Sequence, residues 1–458
     1  MAGANSPAQP PGLRGELPSI AHHALTVLTG QLAVMAFGVT DTVVAGRHSD
    51  TALATLSVGS ALFVSVYVAL MGVLQALLPV WAEQRGAGAF EAVGRSVRQA
   101  LYIWAATSLL GMALLMSPGP LLRWADVPEA LRAQAGDYLM VLGAALPPAL
   151  AFRLYGTLNQ SLGHPRMVAW LQLASLVLKI PLSIAFVLGA GPLPAMGAVG
   201  CAWATLVVNY LLFFVVLWLV HGQALYQPYA LWRRPEPPDW RQLAAFARLG
   251  VPAGLAIMVE ITSYTLMAVL IARQGTAAAA SHQIAASMGA MLYMFPLSTA
   301  IATSARAGYW LGAGNPERAR HAVAAGLALA GVVALCLAAV VFGGRGTIAG
   351  LYSRNPAVAA TAASLLGWVA LYHLADAAQC VCAFVLRCWR ITVAPLVVYS
   401  VLLWGGGVAG GYGLAYRDWF GPAWHTPSAF WVASAASLAL TAVVFLLLVR
   451  RAIRLPAP

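Results

Sequence analysis

The stretch Arg248–Arg320, "RLGVPAGLAIMVEITSYTLMAVLIARQGTAAAASHQIAASMGAMLYMFPLSTAIATSARAGYWLGAGNPERAR", decides the fold. Between Arg248 and Arg273 it carries one charged side chain, Glu260, and between Arg273 and Arg306 it carries none. A helix needs about 20 apolar residues to cross a hydrocarbon core about 30 Å thick. The stretch therefore predicts two membrane-crossing helices, over 243–272 and 277–311, joined by a short turn.

Working outward, the same grammar of long apolar runs broken by clusters of Arg, Gly and Pro covers the chain. It predicts further spans over 19–46, 52–82, 93–117, 130–161, 166–189, 196–221, 320–343, 357–386, 392–415 and 428–450. Of 458 residues, 61% are hydrophobic and 9% charged, against about 25% charged in a soluble domain. A membrane β-barrel would show weak ten-residue alternation instead.

Arginine placement sets the expected orientation, because positive charge stays on the cytoplasmic side. With the N-terminus inside, the cytoplasmic segments hold sixteen arginines, among them Arg14, Arg85, Arg98, Arg233, Arg387 and Arg451; the opposite side holds seven, among them Arg47, Arg132 and Arg273. Both termini are expected in the cytoplasm and the chain in the cell's inner (plasma) membrane. The net charge of +12 is spread through short loops, which argues against a nucleic-acid partner; the expected surroundings are the lipid bilayer, with no obligate protein partner. The five cysteines fall in or beside spans, where structural disulfides are not expected. The polar N-terminal residues lack the basic and apolar regions of a cleaved signal.

The longest polar break, Tyr226 to Arg241, contains Pro235, Pro237 and Pro238, which stop a helix from running through. The expected organisation is a disordered tail over 1–18, a six-helix bundle over 19–221, a cytoplasmic linker over 222–242, a second bundle over 243–451 and a tail over 452–458. The halves look alike. "RGAGAFEAVGRSV" (85–97) after the second span pairs with "LGAGNPERARHAV" (311–323) after the eighth, and in both a Gly-Ala-Gly turn precedes a Glu, Glu91 or Glu317, in the first turn of the next helix. Six crossings per half make the repeats parallel, so the fold class is an all-α membrane protein of twelve transmembrane helices in two bundles related by a pseudo-two-fold along the membrane normal. Such repeats suit alternating exposure of a central site.

Four ionisable residues lie deep in these spans: Asp41, Lys179, Glu260 and Asp376. Each costs about 3 kcal/mol at a bilayer centre on insertion scales, and such groups usually mark a substrate or ion path. Glu260 stands 12 residues from Arg248 and 13 from Arg273, close to the midplane. Tyr372 and Asp376 share a helix face with Gln379. A phenol, a carboxylate and an amide oxygen there, with Glu260, could ligate a hard cation such as Na+. Asp41, six residues before Arg47, either pairs with that arginine at the outer interface or carries a proton or contacts substrate. No Walker loop is present, since the only lysine is Lys179, and metal-hydrolase spacing is absent. An enzyme is not expected; no cofactor is expected, only H+ or Na+ as coupling ion.

At these residues the chain resembles the multidrug and toxic compound extrusion (MATE) family, more closely its NorM-like branch. The likeness is carried by "LATLSVGSALFVSVYVALMGVLQALLPVWAEQRGAG" (53–88), "PLPAMGAVGCAWAT" (192–205), Arg248–Arg320 and "ALYHLADAAQCVCAFVLR" (370–387). It implies a cation-coupled antiporter expelling small amphiphilic, mostly cationic compounds. It also implies a cation site at Glu260, Tyr372 and Asp376 with the aromatic Tyr293, an N-terminal carboxylate at Asp41, and a family match at Gln283 and Arg306. The span 5 sequence "LVLKIPLSIAF" (176–186) departs from the pattern: Lys179 and Ser183 stand where the branch has two asparagines. We expect Lys179 to pair with Asp41 across the N-terminal cavity and to compete there with a proton or cationic guest. The alternative function is an exporter or flippase of an endogenous neutral or anionic metabolite, with Lys179 as the anion's contact.

Overall fold

The computed structural model describes residues 13–124, 127–189, 194–234, 236–419 and 421–454. Among them, helices fall at all twelve expected positions: Leu13–His48, Asp50–Gly86, Phe90–Leu115, Glu129–Ser161, Pro165–Leu188, Ala198–Gly222, Trp240–Ala272, Thr276–Gly312, Pro316–Tyr352, Pro356–Cys388, Val393–Tyr416 and Ser428–Ala452, termed spans 1 to 12 in chain order. Eleven are long and apolar enough to cross a membrane. Span 3 is the exception, with Glu91, Arg95 and Arg98 in its first three turns. Large apolar side chains such as Leu109, Val177, Trp218 and Val340 are exposed, a surface that suits lipid and not water.

The paired turn motifs take the same geometry. Gly88 and Gly314 both adopt the left-handed conformation, at φ +70° and +69°, where a Cβ would strain the backbone. Glu91 and Glu317 follow in the first turns of spans 3 and 9. Equivalent helices also occupy equivalent places. Span 4 is the hub of one unit, packed on spans 2, 3 and 6, and span 10 is the hub of the other, packed on spans 8, 9 and 12.

The two compact units are Thr29–Gly254 and Met1–Leu28 with Leu255–Pro458. The divisions fall inside spans 1 and 7, and the linker lies with the first unit. The physical reason for the linker is its docking on span 3. Arg98 holds Glu236 through two guanidinium contacts of 2.9 and 2.5 Å and also donates to the Ala230 carbonyl at 2.6 Å. Gln99 donates to the Pro237 carbonyl and accepts from the Asp239 amide. The Arg98 hydrogen bonds hold the Glu236 carboxyl down to about 2, well below its usual 4.5. Tyr226 is buried against span 4, donating to Asn159 Oδ1 at 2.9 Å.

The tail expected over 1–18 is helical from Leu13 onward; residues 1–12 lie outside the described residues, as do 455–458 of the C-terminal tail. Its order comes from Glu16, which is 5% exposed. Glu16 takes hydrogen bonds from Arg306 at 2.5 and 3.3 Å and from Trp310 Nε1 at 2.9 Å. Ile20 and Ala24 then pack with Ala302, Ala322 and Ala325. Arg306 thus anchors the start of span 1 within the second unit.

Candidate functional site

Span 7 contributes Glu260 and span 10 contributes Tyr372, Asp376 and Gln379, all buried, in the second unit. Asp376 and Gln379 lie on one face of span 10, so the Gln379 amide reaches back to its own helix neighbour and across to span 7. Its Nε2 donates to Asp376 Oδ1 at 2.9 Å and approaches Glu260 Oε1 at 3.4 Å. Its Oε1 accepts a hydrogen bond from the Tyr399 hydroxyl of span 11.

The amide nitrogen, not the oxygen, therefore faces the carboxylates. Ionised carboxylates only accept hydrogen bonds, so a donor must lie between them. Sequence spacing brought out Gln379 as an oxygen ligand; in this arrangement it stands as a neutral donor where a cation would bridge the two acids. A hydroxyl both donates and accepts, so Tyr399 could partner either orientation of the amide.

Tyr372, one turn before Asp376, sits in an aromatic cluster, with ring centroids 5.8 Å from Tyr264 and 6.0 Å from Trp431. His282 packs on Trp431 at 5.8 Å, a structural contact. A small cleft beside this cluster is lined by Ser263, Tyr264, Met267, Tyr372, Leu403, Gly407 and Ser434. The glycine-rich part of span 11, a π-helical segment Ser400–Ala409, allows the approach to span 12: a Cβ on Gly406 would meet Ser437 Oγ at 2.5 Å. Tyr293 of span 8 lies beside Cys380, one turn beyond Asp376. Gln283 is not drawn in; it is exposed and lies 3.5 Å from Ser287 on its own helix.

In the first unit, Lys179 Nζ of span 5 lies 3.0 Å from Asp41 Oδ1 of span 1. Ser183, one turn on, donates to the same oxygen at 3.0 Å. Asp41 therefore pairs with Lys179, and Arg47 is exposed. Span 6 supplies what the spacing did not show. The Lys179 ammonium also donates to the Cys201 carbonyl at 3.0 Å and to Thr205 Oγ1 at 2.6 Å.

Three further residues escaped sequence reasoning. Tyr399 looks like any span tyrosine until span 11 is packed. Trp431 completes the aromatic cluster from the last span. Arg387, counted among the cytoplasmic topology arginines, is 4% exposed, with its guanidinium 4.1 Å from the Phe384 ring.

Twelve helices in two internally similar units, one holding a buried carboxylate pair and the other a buried ion pair, define a multi-pass membrane transporter and not an enzyme. The chain belongs to the MatE family, whose model matches residues 27–185 and 252–412, one copy in each half. It is 37% identical to the probable multidrug resistance protein NorM of Aromatoleum aromaticum, over 95% of this chain and 94% of that protein. It is 34% identical to the protein of the same description from Chromobacterium violaceum, over 96% and 94%. The crystal structure of the eukaryotic MATE transporter AtDTX14 superposes with a TM-score of 0.84 at 20% identity, covering 97% of this chain and 98% of that one.

Proposed function

We propose that this chain is a multidrug exporter that expels small amphiphilic, chiefly cationic organic compounds in exchange for H+ or Na+, by alternating access. We place it in the inner membrane with both termini in the cytoplasm. The observation that carries the reading is the Glu260–Gln379–Asp376 cluster, two buried acids that share one neutral donor. Such a pair is unstable with both members ionised and unaccompanied, since like charges at close range in a poorly solvated site cannot both persist. It is poised to take an inorganic cation, H+ or Na+, and to lose it when the surroundings change. Tyr264, half-buried at the cleft beside this cluster, offers an aromatic surface suited to an organic cation.

The metabolite alternative, with Lys179 as contact for an anion, is not favoured, because the ammonium's hydrogen bonds are directed at Asp41, Cys201 and Thr205. The test is efflux of a fluorescent organic cation from reconstituted vesicles, with pH and sodium gradients imposed separately. Glu260→Gln and Asp376→Asn should each abolish gradient-driven transport while the protein remains folded. Wild-type transport in both would refute the reading.

A further inference from the structure

We propose that Lys179 is a resident counter-ion that withdraws Asp41 from exchange, so that the first unit binds neither the coupling cation nor an organic cation. This rests on the cation-coupled reading above and assigns the exchange to the carboxylates of the second unit. An ammonium has three N–H donors, and here each has an acceptor: Asp41 Oδ1 at 3.0 Å, the Cys201 carbonyl at 3.0 Å and Thr205 Oγ1 at 2.6 Å. Its side chain is 0% exposed. Two of the three acceptors belong to span 6, so neutral partners on that helix fix the ammonium's position while Asp41 supplies the counter-charge.

A cation entering this site must displace that ammonium and leave it buried without a counter-charge, which is strongly unfavourable. Asp41 Oδ1 is engaged a second time by Ser183. The Cys201 thiol, 3.8 Å from the Asp41 carbonyl, holds the same turn of span 1. The groups facing Asp41 are thus Lys179 and Ser183 from span 5, Cys201 from span 6, and Tyr138 from span 4, the last two close enough to sense its charge. A carboxylate with a tethered ammonium is neutral as a pair. It offers a passing cation no net attraction.

The test uses the purified full chain in two readouts. Infrared pH-difference spectra count carboxyl groups that take up a proton, and vesicle flux counts inorganic cations exchanged per organic guest. Lys179→Asn should free Asp41, adding a protonatable carboxyl absent from wild type and raising the ratio by about one where flux is ion-coupled. Asp41→Asn alone strands a buried ammonium and is expected to fold poorly. The neutral double variant Asp41→Asn/Lys179→Asn should fold and return both readouts to the wild-type values. No new carboxyl in Lys179→Asn overturns the inference, as does loss of a carboxyl signal or of one exchanged cation in the double variant relative to wild type. A wild-type protein without ion-driven flux would instead sink the cation-coupled reading, and the infrared comparison would still judge the pair.

Discussion

Replacing Gln379 with Met keeps the side-chain length and removes its donors, and the structure sets the sign of the outcome. The amide now stabilises the cation-free pair by donating to Asp376 at 2.9 Å and, more weakly, to Glu260 at 3.4 Å. A hydrogen bond to a charged group contributes about 1.5–3 kcal/mol. The second contact is longer than the usual N–H···O range and adds a fraction of that. Removing both destabilises the cation-free state by about 2 kcal/mol, which is roughly a 30-fold gain in affinity for the coupling cation. Turnover should fall, because release becomes the slow step. Tyr399→Phe removes one neutral anchor of the amide, about 1 kcal/mol, and should tighten binding about fivefold in the same direction. The assay is ion binding to purified protein by calorimetry or proton release, paired with vesicle flux. Were Gln379 an oxygen ligand, as its spacing alone suggests, Gln379→Met would weaken binding; weaker binding, or a Tyr399→Phe effect larger than that of Gln379→Met, refutes the donor role.

The linker strap gives a pH signature. Because Arg98 holds the Glu236 carboxyl down to about 2 against an ordinary 4.5, its stabilisation is full above 4.5 and is lost as pH falls toward 2. Glu236→Gln should cost about 1 kcal/mol at pH 7, discounted for the exposed carboxylate, and the gap to wild type in thermal melts should close below pH 4. Glu16→Gln should cost about 2 kcal/mol, since it replaces the charged acceptor of the Arg306 and Trp310 hydrogen bonds by a neutral one, and should speed proteolysis near the start of span 1; unchanged proteolysis would refute the docking. Gly254→Ala sets a Cβ 2.4 Å from the Ala69 carbonyl oxygen and should destabilise by about 1–3 kcal/mol. Gly331→Ala meets nothing within 4 Å and should stabilise by up to about 1 kcal/mol, a contrast that melting curves in one detergent would resolve.

What the sequence disclosed follows from the range of the forces involved. Span positions and the repeat were legible because lipid demands long apolar runs and a tight turn demands glycine, both local requirements; Gly88 and Gly314 carry that signal by themselves. The i, i+4 relation of Lys179 to Ser183 and the one-turn relation of Asp376 to Gln379 were legible for the same reason. The docking of the linker was not, because Pro235 and its neighbours mark where a helix stops and say nothing of what the linker then touches. Its attachment depends on Arg98, 138 residues before Glu236. Nor could spacing orient the Gln379 amide. That choice belongs to the acceptor-only chemistry of two acids from different helices, with Tyr399, just before the π-helical stretch of span 11, partnering the amide oxygen. The same logic governs Asp41. Spacing left it between Arg47 on its own helix and Lys179 on another, and burial decides between them. An exposed arginine can remain solvated, whereas a lysine enclosed among Cys201, Thr205 and Ser183 requires a counter-charge there, and Asp41 is the carboxylate in reach.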